Sequence, residues 1–169
     1  MEITTKGFRG WWILMSKYSR IELKKIVRDW LIKHLSKNFQ GMNYKILLEE
    51  NLGNIYGLNS QLKFKVDVLA IIEYNGKKEL IMINIMNDGS SIGLKNILEM
   101  RMMCQAAKPI EAYLLSTDGL AKPIQTMMYS QNRDKNSLKY SDNAYLELWR
   151  FNAERSELDG DRPILPYFT

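Results

Sequence analysis

An aspartate stands inside an apolar run, Phe64-Lys65-Val66-Asp67-Val68-Leu69-Ala70, with Lys65 and Lys63 at alternate positions before it. Burying an acid is costly, so an acid at such a place is usually paired or functional. A second apolar run, Ile81-Met82-Ile83-Asn84-Ile85-Met86, carries a single carboxamide. Between the two lies Tyr74-Asn75-Gly76-Lys77, a hairpin signal, because Asn-Gly supplies the positive φ angles of a type I′ turn. With Asn75 and Gly76 at the turn, Tyr74 faces Lys77 and Glu73 faces Lys78, a favourable pairing of opposite charges. Counting on, Asp67 faces Asn84 and Lys65 faces Met86. Strand side chains alternate, so Lys63, Lys65 and Asp67 should share one face. The strand pair thus gathers a carboxylate, an amide oxygen and two ammonium groups, which suit charge stabilisation and proton transfer. The plainer alternatives are a structural Asp67–Asn84 polar pair and a solvated Lys63–Lys65 face.

Other chemistries have little support. Cys104 is the only cysteine, which excludes an internal disulfide and a multi-cysteine zinc site. It falls in an apolar helical run, as a small core residue would. His34, the only histidine, lies on the apolar stripe of a helix, which argues against Ser-His or Cys-His nucleophilic catalysis. The formal net charge of +5 permits phosphate-rich partners. No apolar run approaches the ~20 residues that span a bilayer. The first residues, Met1 to Trp12, lack the pattern of a signal peptide. A cytoplasmic protein with no membrane partner is the expectation. The patch Trp11 to Met15 is expected to pack on the core, or else to meet a partner or a second copy.

The elements that must hold these groups alternate between helical and strand periods, as in one mixed α/β domain. Ser19-Arg20-Ile21-Glu22 is a capping box, and Leu23, Ile26, Val27, Trp30, Leu31, His34 and Leu35 continue it as a helix from about Arg20 to Lys37. Lys24, Lys25, Arg28, Lys33 and Lys37 make its polar surface basic. Strands are expected over Tyr44–Glu49, Leu62–Glu73 and Glu79–Asn87. A second helix, Ile92–Ala107, is capped by Ser90 or Ser91 and closed by Pro109. Its apolar residues surround most of the circumference, which calls for deep burial or a covering partner. A fourth strand spans Glu111–Ser116, and a third helix with Pro123 in its first turn reaches about Gln131. The segment Tyr145–Phe151 fits a strand or a short helix. One domain, residues 1–169, is expected, with a core over about 18–116 and a C-terminal extension over 117–169.

The order helix, strand, strand, strand, helix, strand resembles the PD-(D/E)XK restriction-endonuclease-like core, a mixed sheet flanked by helices. The run around Asp67 resembles that family's metal-binding strand, and the run around Asn84 resembles its partner strand, which normally reads apolar, acid, apolar, lysine. Glu22 resembles the first-helix glutamate of archaeal Holliday-junction resolvases. The resemblance covers about Tyr18 to Ser116. It implies a metal-dependent endodeoxyribonuclease acting on nucleic acid, DNA before RNA, and is compatible with a homodimer. It implies Mg or Mn as cofactor, with Asp67 and Asn84 as metal ligands and Glu22 as an outer metal contact. Two positions depart from the pattern: Asn84 stands for the second acid and Met86 for the lysine. Asn84 keeps an oxygen but loses a charge that a hard cation prefers, and Met86 supplies no ammonium to the attacking water. Lys65, across the ladder from Met86, is the candidate replacement, and Lys24, Arg28, Lys63 and Lys95 are the candidate nucleic-acid contacts. The expectation is therefore a weak endonuclease or an inactive nucleic-acid-binding relative. The alternative is a non-catalytic assembly module on the same fold.

Overall fold

The computed structural model describes residues 17–53, 64–130, 138–161 and 163–164. Lys63, the Trp11–Trp12 patch, the loop around Gly57 and the segment Asn132–Ser137 lie outside them. Helix α1 spans Arg20–Asn38. Its first turn is closed by the Ser19–Glu22 box: the Ser19 hydroxyl accepts the Glu22 N–H and the Glu22 carboxylate accepts the Ser19 N–H. Packing holds the rest of it. Leu23, Val27, Trp30, Leu31 and Leu35 are buried, and each contributes about 1.5–3 kcal/mol, against about 1 kcal/mol for a cap.

Strands β1 (Asn43–Asn51), β2 (Lys65–Tyr74) and β3 (Lys77–Ile85) follow as an antiparallel meander. The β2–β3 hairpin has the register counted from its turn: Tyr74 pairs with Lys77 and Glu73 with Lys78. Asn75 and Gly76 take φ angles of 50° and 74°, as a type I′ turn requires. Helix α2 (Leu94–Ala107) then returns the chain so that β4 (Glu111–Ser116) pairs parallel with β3. The cap of α2 is Gly93, whose N–H is taken by Asn96, rather than Ser90 or Ser91. Ser91 instead bonds Asp118. Lys108, in the left-handed region at φ 50°, closes the helix just before Pro109.

Helix α3 (Lys122–Ser130) and strands β5 (Lys139–Ser141), β6 (Ala144–Asn152) and β7 (Glu157–Leu158) complete the described elements. The region of Tyr145 that suited either element is a strand. Strand β6 pairs parallel with β4, giving the order β1-β2-β3-β4-β6-β5, with β7 on β6. Strands β5, β6 and β7, beyond residue 116, are therefore part of the sheet.

Alternating side chains build a core on each face. Ile81, Ile83, Ile85, Tyr113, Leu115, Trp149 and Phe151 meet α1. Leu80, Met82, Ala112, Leu114, Leu146 and Leu148 meet Ile97, Met100, Met103 and Cys104 of α2. The shared mixed sheet makes one α/β domain. Helix α2 buries only that one face: Leu94, Leu98 and Met102 stay exposed. No described helix is long and apolar enough to cross a membrane.

Candidate functional site

The period-two pattern of β2 breaks at Asp67. Val68, Ala70 and Ile72 pack toward α1, yet Val66 joins the opposite core with Leu69. The break leaves Asp67 on the α1 side. Its partner on β1 is distorted too: Glu49, opposite Asp67 between the Leu48–Val68 and Glu50–Val66 pairs, has a φ of 55°. A non-glycine residue pays about 1–2 kcal/mol for that conformation. On the other side, the β2–β3 ladder ends at Val68–Ile83. Beyond it two side chains replace the main-chain pairing. Asn84 Oδ1 accepts the Asp67 N–H at 2.9 Å, and Asp67 Oδ2 accepts the Ile85 N–H at 2.9 Å. Asn84 is thus a cross-strand neighbour of Asp67, its side chain on the Asp67 N–H, while the Asp67 carboxylate reaches the backbone of the next residue, Ile85.

Two cations of α1 complete the site. Arg20 Nη2 lies 3.0 Å from Asp67 Oδ1 and 3.2 Å from Oδ2. Its Nη1 donates to Asn87 Oδ1 at 2.9 Å. Lys24 Nζ lies 3.4 Å from Asp67 Oδ1 and donates to Glu49 Oε1. Only 6% of the Lys24 side chain is exposed, against 46% for Arg20. The Lys24 hydrogen bond and charge, helped by Lys65 and Arg20, hold the Glu49 carboxyl below its usual range. Two acids and two bases thus balance within one cluster. The site opens on a cleft of about 420 Å³, whose wall includes Lys65, Asn84, Met86, Asn96, Met100 and Met103.

This geometry redistributes the expected roles. Lys24, expected on a nucleic-acid-binding surface, is a buried partner of Asp67 and Glu49. Glu22 reaches back to its own helix cap, not to Asp67. Lys65 is exposed on the cleft wall near Glu49. Lys95 is exposed and pairs with Glu99 at 3.7 Å. Arg28, beside Asp29 at 3.7 Å, remains partly exposed. Arg20 and Glu49 are the members that sequence reasoning missed. Lys24 carried a signal, since it falls in the same helical register as Leu23, Val27 and Leu31, where an ammonium needs a buried partner. Glu49 carried none, because a left-handed strand residue other than glycine has no signature in residue type.

As folded, the cluster does not fit the divalent ion that the sequence pattern implied. Both Asp67 oxygens already accept from Arg20, Lys24 or the Ile85 amide, Glu49 is held by Lys24, and the Asn84 oxygen is spent on the Asp67 N–H. Among the described residues, no group of three or more His, Cys, Asp or Glu side chains is placed to hold a metal.

At the far end of β4 lies a second polar cluster. His34 stacks on Trp30 at 5.1 Å, and its Nε2 lies 2.7 Å from Glu111 Oε2, which also accepts the Tyr113 hydroxyl at 2.8 Å. The histidine is satisfied, as its place on the helix suggested. Glu147 lines the adjoining cleft of about 410 Å³. Its carboxyl is pushed above the usual range by burial, partly offset by the hydrogen bond from Trp149 Nε1. Cys104 is buried, and burial pushes its thiol up to about 12, so it is inert at neutral pH.

No family model matches the chain, and no curated protein is similar to it in sequence. A crystal structure of a protein of unknown function, AF1548, is similar at 11% identity with a TM-score of 0.35. That likeness covers 75% of this chain and 59% of the other. The functional reading therefore rests on the site itself.

Proposed function

We propose that the chain is a nucleic-acid-binding protein on a PD-(D/E)XK-like core that does not cleave its ligand, with DNA favoured over RNA. The observation that carries the non-cleaving part is the pairing of Asp67 with Arg20 and Lys24 at the place where the resemblance puts a metal ligand. Met86 leaves the usual lysine position without an ammonium. What supports binding is the remaining charge of α1: Lys25, Lys33 and Lys37 are exposed and Arg28 is partly so. The net charge of +5 has the same sign.

Four phosphate contacts correspond to a slope of about −3.6 in log K against log salt, so affinity for duplex DNA should fall roughly 100-fold between 50 and 200 mM salt. Charge reversal at Lys25, Arg28, Lys33 and Lys37 should flatten that slope and weaken all sequences alike. Fluorescence anisotropy with duplex DNA and single-stranded RNA measures both. Salt-independent binding, or none, would remove nucleic acid as the partner. Metal-dependent nicking that disappears in Asp67→Ala would overturn the non-cleaving half.

One observation favours a second reading, an assembly module. Leu94, Leu98 and Met102 stand at helical spacing on α2, with exposures of 41%, 53% and 52%, Met102 at the rim of the Asp67 cleft. Such a stripe fits the seam of a homodimer. A dimer that Leu98→Glu dissociates, in a protein with no affinity for nucleic acid, would favour this reading over the first.

A further inference from the structure

We infer that Lys24 is the resident cation of the Asp67–Glu49 site, standing where a divalent ion would otherwise be held, so that the cluster is complete without metal. The inference deepens the non-cleaving reading above and rests on its assignment of the site. Three observations carry it. The first is placement. Lys24 is 5% exposed, and its ammonium touches both Asp67 on β2 and Glu49 on β1. The second is the backbone. Both strands leave regular geometry at the same ladder level, Glu49 through its φ of 55° and Asp67 through the broken pleat. Those two distortions turn both carboxylates toward one point, and the Lys24 ammonium occupies that point. The third is charge. Asp67 and Glu49 carry two negative charges, which Lys24 and Arg20 cancel. A divalent ion added to the intact cluster would leave it with two excess positive charges beside the buried Lys24 and Asp67. Removing both cations would leave a deficit of two charges that one divalent ion matches.

The two cations are not equivalent. Arg20 is 46% exposed and already holds Asn87, so it can withdraw from Asp67 toward solvent at little cost. Lys24 has no such route. It is the group that excludes the ion, and its removal should unmask a latent divalent-cation site.

The test is Mn²⁺ binding, followed by the loss of the free-ion electron paramagnetic resonance signal and by calorimetry, in the full chain. Wild type should bind no Mn²⁺ up to millimolar concentrations. Lys24→Met, which keeps length but removes charge, should bind at least 10-fold more tightly than wild type, and Lys24→Met/Arg20→Gln more tightly still. Asp67→Asn added to Lys24→Met should abolish the gain. Folding is checked by circular dichroism, and Mn²⁺ should raise the melting temperature of Lys24→Met but not of wild type. Tight Mn²⁺ binding by wild type would overturn the inference, as would folded lysine variants that bind no better. A Lys24→Met chain that neither folds alone nor recovers with Mn²⁺ would count against it equally, since a site built round a cation should accept another. These readouts contain no nucleic acid, so they fail or succeed independently of the binding assay.

Discussion

Asp67→Ala separates an acid retained for catalysis from an acid that clasps two strands and a helix. The carboxylate is 7% exposed and serves the Ile85 N–H, Arg20 and Lys24 at once. Truncation strands the Ile85 amide, which costs about 1–3 kcal/mol. It also leaves the buried Lys24 ammonium with Glu49 alone, and breaking one side of a buried pair costs about 3–5 kcal/mol. The Arg20 contribution is small, because that side chain is nearly half exposed. The first two costs overlap, since water entering the truncated site relieves both, so the sum is set by the larger at about 3–5 kcal/mol. For a chain of this size that corresponds to a fall in Tm of about 6–20 °C. Asp67→Asn keeps an acceptor for the Ile85 amide and should lose roughly half as much. An acid held in place for function alone behaves oppositely, because its removal is commonly neutral or stabilising. Urea unfolding and thermal melts at pH 7 measure the effect. A double-mutant cycle with Lys24→Met should give a coupling of at least about 1 kcal/mol. An Asp67→Ala protein as stable as wild type with an unchanged denaturant slope, or a cycle without coupling, would show that Asp67 does not clasp these elements.

Two further outcomes follow from the same geometry. Asn84→Asp/Met86→Lys restores the residue types of the nuclease pattern, yet it should nick no supercoiled plasmid with Mg²⁺ or Mn²⁺, because Arg20 and Lys24 still hold Asp67; nicking abolished by Asp67→Ala would refute this. Glu147→Gln should stabilise the protein at pH 7. Burial raises the Glu147 carboxyl above its ordinary value of about 4.5, so the folded chain binds a proton more readily than the unfolded chain, and stability falls as pH rises from about 4.5 through the folded value. Glutamine removes that loss while still accepting the Trp149 N–H, so its advantage should vanish below the unfolded value; an advantage that persists in acid, or none at pH 7, would show that desolvation of Glu147 is not the cause.

Much of the framework was legible because short-range chemistry dictates it. Asn75-Gly76 sets a two-residue turn, and the turn sets every later pair of the β2–β3 ladder until Val68 and Ile83. Ser19 and Glu22 mark the start of α1 within four residues. The insertion of β6 beside β4 was not legible, because parallel pairing between strands separated by α3 and β5 is decided by packing on both sheet faces and leaves no turn signal. The cap of α2 failed for a related reason. Ser90 and Ser91 have the right residue type, but Ser116 bonds the Ser90 carbonyl and Asp118 takes the Ser91 hydroxyl, so tertiary partners outbid the local motif.

The site shows where residue-type reasoning stops. Asp67 and Asn84 could be placed opposite each other by counting, and their types alone fit a ligand pair as well as they fit a hydrogen-bonded splice between strands. What decides between these is the direction from which positive charge arrives. Lys65, two residues before Asp67 on the same strand, was the nearest candidate along the chain, yet the helix in front of the sheet delivers Arg20 and Lys24 one turn apart, onto the side to which the broken pleat turns Asp67. Neither the break at Asp67 nor the left-handed Glu49 is encoded by a glycine or a turn motif. Each is tolerated because the ion cluster over-determines it. The distortion and the two cations therefore make sense only together: without the cations the carboxylates would repel across the ladder, and without the distortion the cations would have nothing buried to meet.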